Sequence, residues 1–201
     1  AVMHNHYHIS VKLNPDEAKE WDTQAVIQRW TMLFKGPLSV QRYVKGEPLL
    51  PAELDAVNTI ITEWRRRLTD LSWFMKCLNE PIARAANKED ECTGHFWESR
   101  FKSQALRSEA ALLSCMAYVD LNPIRSKLAT TPEQSEHTSI KERINSEFNL
   151  ETAIRSQHFQ QDFDLPIKPL AAFEDGITDK KQSGIFYSLS DYLQLVDFTG
   201  R

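Results

Sequence analysis

The sequence predicts an α+β domain: an antiparallel sheet that carries a histidine-rich strand and is covered by helices. Three observations predict it. Near the start, Tyr7, Ile9 and Val11 alternate with His6, His8 and Ser10, the two-residue period of a half-buried strand. In the middle, Phe101, Ser103 and Ala105 alternate with Lys102, Gln104 and Leu106, which predicts a second strand over 100–107, antiparallel to the first. Between and after these segments, apolar residues recur at helical spacing in several separate runs.

The 201 residues, 41% apolar and 26% charged, suit a folded chain with one good core and room for a small second unit. No apolar run approaches the roughly 20 residues needed to cross a bilayer, and the start lacks the basic and apolar regions of a signal peptide. A cytoplasmic protein with no membrane partner is expected. Cys77, Cys92 and Cys115 are odd in number and have no C-x-x-C spacing, which favours reduced thiols over a zinc ribbon. The net charge is −4, yet residues 64–127 carry eleven Lys/Arg against eight Asp/Glu, so the basic charge is central.

In chain order, the histidine strand starts with no turn or cap before it, and it is expected to need partners that precede it. Asn14-Pro15-Asp16-Glu17 then supplies an N-cap, a first-turn proline and acidic residues for a short helix. Val26, Ile27, Trp30, Leu33 and Phe34 predict a second helix, stopped by Lys35-Gly36-Pro37. Residues 38–50, with Gly46 and Pro48, read as a loop. Pro51 opens a helix through Leu54, Val57, Ile60, Ile61 and Trp64 that closes on Arg65-Arg66-Arg67. Basic residues suit a helix C-terminus, and phosphate contact is the other reading of that triplet. Asp70 caps the next helix, with a kink expected at Pro81, and 87–94 read as a charged loop. Ser108 caps a helix through Leu112, Leu113, Met116, Val119 and Leu121 that meets Asn122-Pro123. Beyond Ala129 a helix is predicted near 139–149, an extended stretch around Pro166 and Pro169, and a last helix from about 189, capped by Ser188 with Asp191.

Chemistry concentrates at few places. No phosphate-binding glycine loop or G-x-S-x-G elbow occurs. His6 and His8 point the same way from a strand and can lean onto one cation, since neutral imidazole is the commonest metal ligand. His4 falls on the same face, so a three-histidine zinc site is an alternative. Ser114, Tyr118 and Asn122 recur every four residues and share a helix face. Taken singly, Tyr118 and Asn122 read as structural.

Three blocks together resemble a known family. Val2-Met3-His4-Asn5-His6-Tyr7-His8 is similar to the His-hydrophobe-His strand of the single-tyrosine HUH transposases, in the branch related to REP-associated tyrosine transposases. Gly94 to Ser103 (G-H-F-W-E-S-R-F-K-S) resembles the block before that family's last strand, and Ala117 to Arg125 (A-Y-V-D-L-N-P-I-R) its nucleophile helix. The resemblance implies a ferredoxin-like HUH architecture. Residues 1–129 would be the catalytic domain, with 14–69 as a helical insertion, and 130–201 a mostly helical or irregular extension. Histidine stands at position 4 where the family often has proline. The family's opening strand and helix are missing, so the chain resembles a fragment.

Carried over, the metal ligands fall on His6, His8 and Asn122 and the nucleophile on Tyr118. The implied partner is single-stranded or hairpin DNA, bound as a monomer or homodimer, with Trp97, Arg100, Lys102 and Arg125 as candidate contacts. A phenol of pKa near 10 is only about 0.1% ionised at pH 7, so it needs activation as it attacks. Mg²⁺ or Mn²⁺ suits two imidazoles, an amide oxygen and open positions for phosphate and water, whereas zinc would prefer a closed tetrahedron. The implied reaction is strand cleavage and transfer through a 5′-phosphotyrosine, as in DNA transposition and recombination. The alternative is a domesticated or truncated relative that binds hairpin DNA without cutting it.

Overall fold

A computed structural model describes residues 1–144, 170–174 and 184–200. The chain divides into two compact units, Lys12–Ser103 and a second composed of Ala1–Val11 with Gln104–Arg201. The boundaries thus differ from the 14–69 insertion and the 129/130 division read from the sequence.

The Lys12–Ser103 unit is helical. Helix α1 (Pro15–Glu20) starts at Asn14, whose amide donates to Glu17 and does not cap the backbone. Helix α2 (Thr23–Thr31) is capped by Asp22, which accepts the Ala25 N–H at 2.7 Å. Residues 38–50 are not all loop: Leu38–Val44 form helix α3. Seven residues do not hold a helix alone. Fully buried Val40 and the Gln41 side chain, which donates to the Gly36 carbonyl at 2.9 Å, fasten this one to its surroundings. Helices α4 (Pro51–Leu68) and α5 (Leu71–Glu89) follow, the second capped by Asp70 at 2.8 Å and running through Pro81 into the stretch expected to be loop. Trp30 stacks on Trp64 with ring centres 4.7 Å apart and on Trp73 at 5.8 Å, within a core of Val26, Ile27, Val40, Val57 and Ile61. Gly36 (φ +72°) passes so close to Trp64 that an added Cβ would lie 2.9 Å from the indole. All five tryptophans, Trp21, Trp30, Trp64, Trp73 and Trp97, belong to this unit.

The other unit is built on helix α6 (Glu109–Arg125), capped by Ser108 as expected. It continues past Asn122-Pro123 to Arg125. The missing proline N–H falls in the last turn, which Ser126 N closes on Asn122 O at 2.9 Å. Helix α7 (Ser139–Ile144) begins where the sequence predicts one; the rest of that helix to 149, and the stretch around Pro166 and Pro169, lie outside the described residues. Helix α8 (Leu189–Gly200) is the predicted last helix, with Ser188 Oγ accepting the Asp191 N–H at 3.0 Å. Leu113, Met116, Ala117, Leu121, Ile140, Phe173, Ile185, Tyr192 and Val196 form its core.

The expected α+β sheet is absent: the described residues are predominantly helical, and the ferredoxin-like arrangement does not form among them. Residues 1–8 fold back on themselves. Met3 N donates to His6 O at 2.8 Å, and the nitrogens of Ala1 and His8 donate to each other's carbonyls at 3.0 and 2.9 Å. This leaves one isolated bridge, Val2 to Tyr7, in place of a strand. Residues 100–107 are irregular, and all but Phe101 are exposed. Alternation over so few residues marks a strand only when a neighbour takes up its backbone groups. Among the described residues neither segment pairs into a sheet, and Ile9 and Val11 stay 45% exposed.

Candidate active site

The reversal of residues 1–8 does what a strand was expected to do for the histidines: His6 and His8 flank Tyr7, and their rings meet edge to face with centres 5.0 Å apart. Two imidazoles that share a cation, each with a metal–nitrogen bond of about 2.1 Å and subtending roughly 90–105° at it, have ring centres about 4.5–5 Å apart. The observed spacing fits. His6 Nδ1 lies 2.7 Å from Asn5 Oδ1, so Nε2 is the His6 nitrogen that could take a cation. Partial burial, and then the neighbouring His6, hold His8 below the usual histidine pKa, which favours its neutral, ligating form.

Helix α6 brings Tyr118 to this pair. Its ring centre is 6.1 Å from that of His8, and the side chain is 49% exposed, so the phenol is open to a ligand. Arg125, two turns on, places its guanidinium carbon 5.4 Å from the Tyr118 ring centre. Asn122 is buried one turn from Tyr118, and its Oδ1 accepts a long hydrogen bond of 3.4 Å from Ser126 Oγ. His6, His8, Tyr118 and Arg125 are therefore joined by ring contacts, with Asn122 on the same helix.

His4 sits exposed in the bend between Met3 and His6. Among the described residues no group of three or more His, Cys, Asp and Glu could hold a metal ion, so the three-histidine zinc alternative lacks its third imidazole. Arg100 and Lys102 are exposed on the irregular segment, and the strand pairing expected to carry them to the rim of the site does not form. Trp97 is half-buried, its indole donating to Asn79 O at 3.0 Å. In the basic triplet, Arg65 donates to the carbonyls of Ala18 and Trp21, while Arg66 and Arg67 both grip Glu63 at the end of α4. Those two guanidinium groups hold the Glu63 carboxyl at about 2.

One residue escaped the sequence reading. Asp120 lies between Tyr118 and Asn122 in sequence, but it is fully buried on the core-facing side of α6. Its carboxylate accepts Ser139 Oγ at 2.6 Å and Ile140 N at 3.2 Å on Oδ1, and Tyr192 OH at 2.6 Å on Oδ2. Burial, and then the Asp120 charge, push the Tyr192 phenol far above its ordinary range, which keeps it a donor. The signal was present: Leu113, Met116, Ala117, Asp120 and Ile124 follow helical spacing, so a carboxylate occupies a core position. Compared with known protein families, curated proteins and solved structures, the chain matches none.

Proposed function

We propose that the chain is a single-tyrosine HUH transposase of the branch related to REP-associated tyrosine transposases, which cuts and rejoins single-stranded DNA, preferring a hairpin, through Tyr118. The observation that carries this reading is the contact of His6, His8 and Tyr118, residues far apart in sequence, in one cluster with an exposed phenol. Such a cluster is what a phosphate-attacking tyrosine needs beside a cation site.

His6 and His8, the latter biased to its neutral form, would supply two imidazoles, and the resemblance assigns the third donor to the amide oxygen of Asn122, buried one turn from Tyr118; open positions for phosphate and water would suit Mg²⁺ or Mn²⁺, where zinc prefers a closed tetrahedron. When bound, the cation would polarise a non-bridging phosphate oxygen and steady the developing negative charge. The Tyr118 hydroxyl attacks phosphorus, losing its proton to water. A P–O(tyrosine) bond forms as the P–O3′ bond breaks, and the departing oxygen takes a proton from water to become a 3′-hydroxyl. Because the linkage is conserved as a phosphodiester, a 3′-hydroxyl of another strand can reverse the step and join. Arg125 beside the phenol supplies a positive charge for the phosphate. Trp97, Arg100 and Lys102 are DNA contacts only by the family resemblance, with Arg100 and Lys102 exposed on the irregular segment.

The test is incubation of the chain with end-labelled single-stranded hairpin DNA and Mn²⁺, followed by a denaturing gel. Wild type should give a covalent adduct, and Tyr118→Phe should bind the DNA and give none. Adduct with the Phe variant removes Tyr118 from the role. Hairpin binding by wild type without any adduct would favour the non-cutting binding module.

A further inference from the structure

We infer that Asp120 and Tyr192 form a positioning pair that sets the angle of the Tyr118 helix against the histidines, so that helix α8 is part of the catalytic apparatus. This rests on the proposed role of Tyr118. Positions 118 and 120 are about 200° apart around a helix, so the two side chains leave α6 on opposite sides. Tyr118 emerges on the exposed side, toward His8. Asp120 emerges on the buried side, where three donors from two other elements close on it: Ser139 and Ile140 of α7 and Tyr192 of α8.

The tie to Tyr192 spans 72 residues and joins two side chains with no solvent exposure. Apolar packing around it, with Leu113, Met116, Leu121 and Val196, is non-directional and tolerates sliding and rolling of α6. A carboxylate held by three directed bonds does not, because a roll breaks the short bonds in a buried setting. The reference frame for the nucleophile is therefore at its back. Nothing about Asp120 or Tyr192 touches the reacting atoms. They act through the helix.

Full-length chain with 3-fluorotyrosine at position 118 alone gives a reading independent of catalysis. In Tyr192→Phe the ring packing is kept and one bond is lost. The ¹⁹F signal of position 118 should shift or broaden, while hairpin affinity stays within about twofold. The single-turnover rate of adduct formation at saturating DNA should fall about tenfold, since misplacement of an attacking group by a fraction of an ångström has consequences of that order. Ser139→Ala, removing the donor nearest the surface, should show the same pattern more weakly and serves if the Phe variant fails to fold. Unchanged ¹⁹F signals in both variants would overturn the inference whatever happens to activity. If wild type forms no adduct, the transposase reading fails, while a ¹⁹F change in Tyr192→Phe would still show that the pair sets the helix.

Discussion

At the scale of single residues, removing a buried acceptor has a larger effect than deleting an apolar contact, because every donor left behind is stranded away from water. Asp120→Ala would strand Tyr192 OH and Ser139 Oγ at once. Loss of about 3 kcal/mol of stability is expected in urea denaturation, against about 1 for Tyr192→Phe. Equal losses would mean that the carboxylate contributes no more than one bond. Position 120 was legible, since a charge in an apolar stripe needs a partner; which partner was not, because Tyr192 lies 72 residues away. His8 is the residue whose titration matters. Its folded pKa lies below the ordinary 6.5, so the unfolded chain binds the proton more tightly, and this group's contribution to stability is intact above 6.5 and lost as pH falls from there through the lower folded pKa. The same bias favours a cation. On the proposed reading, Mn²⁺ binding measured by titration calorimetry should persist at pH 6.5, where about half of a free imidazole is protonated. Complete loss of binding there would remove His8 from the ligand set.

At the scale of elements, helix caps were the most readable features: Asp70, Ser108 and Ser188 each accept the backbone N–H three residues on. Caps are local, so sequence alone suffices. Helix α3 was missed because its seven residues depend on what Val40 packs against, and the two expected strands failed because pairing is a property of two segments. The Gly36 turn is sharply constrained. Gly36→Ala meets both a positive φ and the Trp64 ring, and should destabilise the Lys12–Ser103 unit by about 1–3 kcal/mol, seen as a lower midpoint in tryptophan fluorescence. An unchanged midpoint would show that the indole yields freely. The α4 triplet is engaged within its own unit. Arg66→Ala with Arg67→Ala should therefore lower DNA affinity by less than about threefold and barely alter its salt slope. A loss of two contacts' worth of slope would make the triplet a phosphate site.

At the scale of the whole molecule, the division into two units is the feature that the sequence hid most. The resemblance runs as three blocks along the chain, whereas the first and third of them sit in one unit, and the whole of the middle block in the other. The candidate site was readable as a set of residue types, and its assembly by a reversed loop instead of a sheet was not, because the backbone bonds that make the loop join residues on either side of His4 and Asn5. Asp120→Ala should shift the unfolding transition followed by near-ultraviolet tyrosine dichroism more than the one followed by tryptophan emission. Coincident shifts would mean that the two units unfold as one.

The segregation of the five tryptophans has a practical side. Excited at 295 nm, the protein shines only from Lys12–Ser103, and the unit holding the histidines and Tyr118 is dark. A titration of metal or phosphate watched by intrinsic fluorescence would thus look at the wrong half of the chain. A single tryptophan placed at Phe186, 66% exposed in the dark unit, would give that half a lamp of its own.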